Sequence, residues 1–155
     1  VLSFAKSYQR EYLVNHKIVL CHPTDPLVES ALSLVEEIAQ LSWVILFGGD
    51  RWSPVEVVAV AMEEEQPVGM ATLAPHDEMG TGGPHIIGVW VCPPMRSQGI
   101  GGRLVASLAE ESQRRYGQAP TLVTVTNVGK MLAEAALHNG ISIRVQHAND
   151  MANLP

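Results

Sequence analysis

The residues that could do chemistry stand together after a double proline. From Pro93-Pro94 the chain runs Met95-Arg96-Ser97-Gln98-Gly99-Ile100-Gly101-Gly102-Arg103-Leu104, and its glycines lead straight into a helical pattern. A helix start leaves its first N–H groups unpaired, and the aligned peptide dipoles add partial positive charge there. Glycines let that backbone approach an anion closely, and Arg96 and Arg103 would add full charges beside it. The chemistry on offer is the cradling of a pyrophosphate. Two nucleotide signatures fit it poorly. A P-loop needs Lys and then Ser or Thr after its second glycine, and Gly102-Arg103 lacks that pair. The dinucleotide fingerprint GxGxxG fits Gly99 and Gly101 but puts Leu104 at its third glycine. A glycine turn with a purely structural role is the other alternative at this point.

Composition sets limits on the rest. Apolar residues make up 46% of 155, so one domain with a real core is expected and wholesale disorder is excluded. Ten Lys and Arg against sixteen Asp and Glu give a formal charge of −6, which argues against broad binding to nucleic acid. A small basic pocket for one anion is compatible with that charge. Cys21 and Cys92 form no CxxC or Cys/His metal pattern and no disulfide framework, so buried thiols in a reducing cytoplasm are expected. No apolar run approaches a membrane span, and Val1-Leu2-Ser3-Phe4-Ala5-Lys6 is not a signal pattern.

The elements that position the turn follow from pattern. Lys17 to Cys21 reads as a strand. Asp25 then caps a helix whose first residue is Pro26 and whose stripe runs Leu27, Ala31, Leu34, Val35, Ile38, Leu41. Val55–Met62 and Val68–Leu73 form a hairpin, and His85–Cys92 is a fourth strand halted by the prolines. A helix from about Gly99 to Tyr116 ends at Gly117, a left-handed cap. Thr121–Thr126 is a strand, Val128–Asn139 a helix stopped by Gly140, and Ile141–Gln146 a last strand. The order β, α, ββ, β, α, β, α, β fits a mixed sheet with helices on its faces.

With those elements in place the sequence resembles the GNAT superfamily of acetyl-CoA-dependent N-acetyltransferases. Its signature is a strand ending V-x-P followed by Q/R-x-x-G-x-G/A opening a helix. Val91-Cys92-Pro93 and Arg96-Ser97-Gln98-Gly99-Ile100-Gly101 match it, with Gly102 and Leu104 also typical. The resemblance runs from Lys17 to Gln146 and implies one acetyltransferase domain over 1–155, with 1–16 as an N-terminal arm. Its α/β fold is a mixed, mostly antiparallel central sheet flanked by helices. Acetyl-CoA is the implied co-substrate and a primary amine on a small molecule or peptide the implied acceptor. The fourth strand would diverge from the fifth and pair with the pantetheine arm through Val89, Trp90 and Val91. The Val89 amide would then polarise the thioester carbonyl. Backbone amides from Arg96 through Gly102 (Arg96, Ser97, Gln98, Gly99, Ile100, Gly101, Gly102) would hold the pyrophosphate. Asn127 would contact the cofactor, cap its helix, or do both.

The chain departs from the family twice. Many members carry a tyrosine four residues before a Gly-Phe pair, as the acid for the departing thiolate. Here Gly140-Ile141 follows and that position is Ala136. Glu134 and His138, one turn apart, are the substitutes in sequence, and the incoming amine's base is unassigned among His76, Asp77, Glu78 and His85. The second departure is the C-terminus. His147 to Pro155 is polar and makes a poor strand, so the family's final strand is expected to be missing. The exposed edge would be covered by a homodimer partner or by Leu2 to His16. These departures keep open a second reading, a non-catalytic CoA-binding or interaction domain.

Overall fold

The computed structural model describes residues 16–38, 55–76, 82–124 and 127–147. Six strands form one sheet in the order β1-β2-β3-β4-β5-β6: Lys17–Cys21, Val57–Glu63, Gln66–Ala74, His85–Val91, Thr121–Thr124 and Arg144–His147. The first four pair antiparallel, whereas β4–β5 and β5–β6 are parallel. Helix α1 is Pro26–Leu32, α2 is Ile100–Tyr116 and α3 is Asn127–His138.

Helices cover both faces, which is why β2 is buried along nearly its whole length. Val57, Ala59 and Ala61 face one core with Leu73 of β3, Ile86 of β4, Leu104 and Leu108 of α2 and Ala133 of α3. Val58, Val60 and Met62 face the other, with Val28, Ala31 and Met70 under α1. Period-two alternation divides the strand between two layers.

The expected helix to Leu41 stops early. Asp25 Oδ1 accepts from the Leu27 amide at 2.8 Å and Pro26 opens α1, as the sequence indicates. After Leu32 the chain tightens into 3-10 turns over Ser33–Ile38, kinked at Val35. The Ser33 hydroxyl donates to the Ser30 carbonyl at 2.7 Å, a local bond that competes with the helical ladder. The last strand starts late for a similar reason. The Ile141 amide is taken by the Ala136 carbonyl at 3.0 Å, closing α3 over Gly140, so β6 begins only at Arg144. Residues 1–15 of the N-terminal arm, residues 148–155 and the loop around Trp52 lie outside the described residues.

Candidate functional site

Strand β4 carries a bulge that governs everything after it. Its ladder to β3 matches Thr72 with Ile87 and Ala71 with Val89, so Gly88 is the extra residue. Gly88 has φ 76, a left-handed conformation that glycine adopts without penalty. At the same point the Thr72 hydroxyl donates to the Ile87 carbonyl. The insertion switches which residues aim their backbone across the sheet. Before it, the Pro84 carbonyl bonds the Thr121 amide of β5 at 2.9 Å. After it, the Cys92 amide bonds the Val68 carbonyl of β3 at 2.7 Å. Alternate residues of an antiparallel ladder point to opposite sides, so Trp90 shares the direction of Cys92, and Val89 and Val91 point away from β3.

On that side there is no ladder to meet them. β4 and β5 pair only at His85↔Thr121 and Ile86↔Leu122, after which β5 continues with β6. The strands splay into a slot with the Val89 and Val91 backbones along one edge. The Val91 carbonyl is already engaged by Arg96 Nε at 2.8 Å, which straps the turn to the end of the strand.

The slot leads to the glycine turn. Pro93–Met95 forms a 3-10 turn, and the Arg96 amide bonds back to the Pro93 carbonyl at 3.3 Å. The first i to i−4 bond of α2 is from the Arg103 amide to the Gly99 carbonyl at 3.1 Å. The amides between these two, Ser97 through Gly102, are the ones the turn and helix leave for a ligand. The expected cradle therefore loses its first member, Arg96, whose amide is spent on the turn. Ser97 and Gly99 both lie at positive φ, 66 and 81, which folds the turn sharply. A Cβ added at Gly99 or Gly102 would meet nothing within 4 Å, so the backbone is open to an approaching group. At Gly101 it would touch Leu132 of α3 at 3.4 Å and Val91 at 3.8 Å, ordinary contacts. The Gln98 side-chain oxygen is buried here without a hydrogen-bond partner.

Other sequence candidates scatter. The Arg103 guanidinium donates to the His16 carbonyl at the start of β1, so it braces the sheet instead of flanking the turn. The Trp90 side chain is buried in the α1 core, leaving only its backbone near the slot. Asn127 is exposed and is the first helical residue of α3, not a cap outside it. His85 is buried with its Nδ1 2.7 Å from the Gly83 carbonyl. Ala136 is buried against the core, while Glu134 and His138 are exposed on the outer side of α3, so neither reaches the sheet. Asp77 and Glu78 lie outside the described residues. Sequence reasoning missed the bulge and the pair Thr124 and His147, whose Oγ1 and Nδ1 are hydrogen bonded across β5 and β6. A glycine inside a β-branched run is the available signal for the first.

The far end of α2 carries most of the perturbed ionisations. The Tyr116 hydroxyl donates to Glu56 at 3.0 Å, and burial, followed by that bond, pushes its phenol up to about 12. The hydrogen bond from Arg114, with help from Arg115, holds the buried Glu111 carboxyl below its usual range despite desolvation. Burial, and then Asp25, push the Cys21 thiol up. Cavities of about 200 and 240 Å³ flank this end, one by Glu56 and Arg115, the other by Ser107 and Glu110. The first sits at the opposite end of β2 and α2 from the glycine turn, and the second lies along α2 against Ile18 and Leu20 of β1.

Comparison with known proteins bears on the slot and turn together. The acetyltransferase (GNAT) family profile matches residues 28–133, over half of the 155. This chain belongs to the GNAT acetyltransferase family. No curated protein matches it by sequence. Its fold is shared by an aminoglycoside acetyltransferase from an uncultured soil metagenomic sample, solved with trehalose. That match has a TM-score of 0.55 at 18% identity and covers 84% of this chain and 90% of that one. It is also shared by a GNAT family acetyltransferase from Brucella melitensis solved with acetyl-CoA, at TM-score 0.53 and 16% identity, covering 76% and 82%. Among the described residues no helix is long and apolar enough to cross a membrane, and both cysteines are free.

Proposed function

We propose that the chain is a single acetyltransferase domain that moves the acetyl group of acetyl-CoA to a primary amine on a small molecule or peptide. The observation that carries this reading is the continuity of two unfilled backbone features. An edge with no ladder at Val89 and Val91 runs into open-faced amides from Ser97 to Gly102. A pantetheine arm can pair with the first and a pyrophosphate can sit on the second. Acetyl-CoA supplies an activated thioester. Val89 N–H then faces the acyl oxygen and stabilises the negative charge that develops on it. Val91 N–H and the Trp90 backbone line the arm, and the exposed part of Arg96 adds charge beside the amides of Ser97, Gln98, Gly99, Ile100, Gly101 and Gly102. Asn127, exposed at the start of α3, contacts the cofactor from that helix in this reading. Rate enhancement rests on positioning and on the Val89 contact.

An amine acceptor suits an acidic chain, because a net charge of −6 attracts ammonium groups. One structural neighbour is an aminoglycoside acetyltransferase solved with sisomicin, so amine-rich sugars head the acceptor panel. Free thiols and acetyl-CoA use agree with the cytoplasm. The test is calorimetric titration with acetyl-CoA, CoA and ATP, followed by free-thiol release against primary amines. Binding of CoA species with turnover of one amine is expected. Binding of ATP alone would end the acetyltransferase reading, and CoA binding without turnover of any amine would favour the binding-domain reading.

A further inference from the structure

Counting on from the last β4–β5 pair, Ile86↔Leu122, places Gly88 level with Thr124 on the far side of the slot. Thr124 is therefore the β5 residue opposite the bulge from which the Val89 amide emerges. It lies on the same sheet face as Leu122, the face that packs with α2 and α3, and Val89 also packs there. Thr124 is only 2% exposed, and its register partner on β6 is His147. The two side chains are hydrogen bonded through Thr124 Oγ1 and His147 Nδ1. A hydroxyl that accepts from an imidazole N–H still has its own proton to donate. His138 is exposed at the C-terminal end of α3 and His85 is tied to Gly83, so neither stands beside the slot in this way.

We infer that Thr124 and His147 form the proton-delivery pair for the departing thiolate; the inference rests on the acetyltransferase reading above. Thr124 is the catalytic residue and His147 the positioning and resupplying one. The amine nitrogen bonds to the acyl carbon, and the carbon–sulfur bond breaks with its electron pair going to sulfur. The Thr124 hydroxyl proton passes to that sulfur, and the Nδ1 proton of His147 passes to Thr124 Oγ1. Water gives a proton to His147 Nε2 as Nδ1 loses its own, which leaves the other ring tautomer, and the proton lost by the amine goes to solvent. After CoA leaves, a water in the slot passes a proton through Thr124 back to Nδ1 while Nε2 releases one to solvent, so the cycle closes. Thr124 is buried and His147 half-buried, which favours transfer to the sulfur along the fixed pair over transfer through bulk solvent while leaving the imidazole in reach of water.

The experiment compares CoA with desulfo-CoA, which has the same nucleotide and arm without the sulfur. Imidazole resonances are followed by NMR, with His147 assigned from His147→Gln and affinities measured by calorimetry. CoA is expected to shift the His147 ring signals and desulfo-CoA to leave them nearly in place, with both bound. Thr124→Val should abolish the sulfur-dependent shift, Thr124→Ser should keep it, and the valine variant should lose about 10²-fold in kcat at unchanged acetyl-CoA affinity. If both ligands bind and move His147 alike, or if Thr124→Val leaves the sulfur-dependent shift intact, the pair has no such role. If neither ligand binds, the acetyltransferase reading itself fails and the pair falls with it.

Discussion

The Thr72 hydroxyl donates to the Ile87 carbonyl at the single point where the β3–β4 ladder slips register. Thr72 is fully buried, so this bond is made away from water and fixes the geometry of the bulge that turns Val89 toward the slot. Thr72→Val keeps the shape and removes the donor. The expected outcome is a stability loss of about 1–3 kcal/mol, the cost of an unsatisfied buried carbonyl. Hydrogen exchange at the Trp90 amide, which faces the β3 ladder just past the bulge, should speed up, and kcat should fall more than acetyl-CoA affinity. Thr72→Ser should restore both readouts. Denaturant melts and amide exchange on the three proteins check it.

Gly102 separates folding from ligand binding. Its Cβ position is open, and aspartate in the first turn of α2 complements the helix dipole. Gly102→Asp is therefore expected to match or exceed the parent in thermal stability while losing at least tenfold in acetyl-CoA affinity, about 1.4 kcal/mol or more. Gly101→Glu should lose affinity for the same electrostatic reason. Calorimetry on folded variants decides; retained affinity would move the pyrophosphate site elsewhere.

Gly99 is under conformational demand and not steric demand, with φ 81 and nothing near its Cβ position. Gly99→Ala should cost about 1 kcal/mol through left-handed backbone strain. Gly102→Ala, at a helical position, should stabilise by up to about 1 kcal/mol instead. Paired urea melts measure the contrast.

Tyr116 gives an alkaline signature. Its folded-state pKa is raised from the ordinary 10 to about 12, so the phenol is neutral in both states below pH 10 and no stability is lost there. Between about 10 and 12 the unfolded chain ionises and the folded one does not, so stability falls as pH rises through that window. Tyr116→Phe should flatten this part of the pH–stability curve, as read by denaturant midpoints at successive pH values.

Much of this architecture was legible in the sequence because the signals were local. Asp25-Pro26, Gly117 and Gly140 each mark a helix boundary through their own backbone chemistry, and the structure places caps or helix ends at all three. The turn at Gly99–Gly102 was equally readable, since a strand, two prolines and a glycine run specify a sharp helix entry. What pattern reading missed depends on pairing between distant segments. The parity switch at Gly88 needs β3 as its reference, and the meeting of Thr124 with His147 needs β5 and β6 in register. The departure of Arg103 to the His16 carbonyl is of the same kind, because sequence proximity to the glycines gave no hint of β1. Burial sorted the rest: Glu134 and His138 share a helical face, but it is the face turned to solvent.

Gly88 gives a place to an extra residue in an otherwise regular strand. The ladder to β5 gives out at Ile86, and the ladder to β3 slips at Gly88, two residues on. The opening and the insertion therefore fall at one place along β4. A sheet that was regular on both sides of this strand would offer its backbone to no ligand. Binding capacity here is a fault line in a lattice of hydrogen bonds, with one left-handed glycine set where the two ladders part.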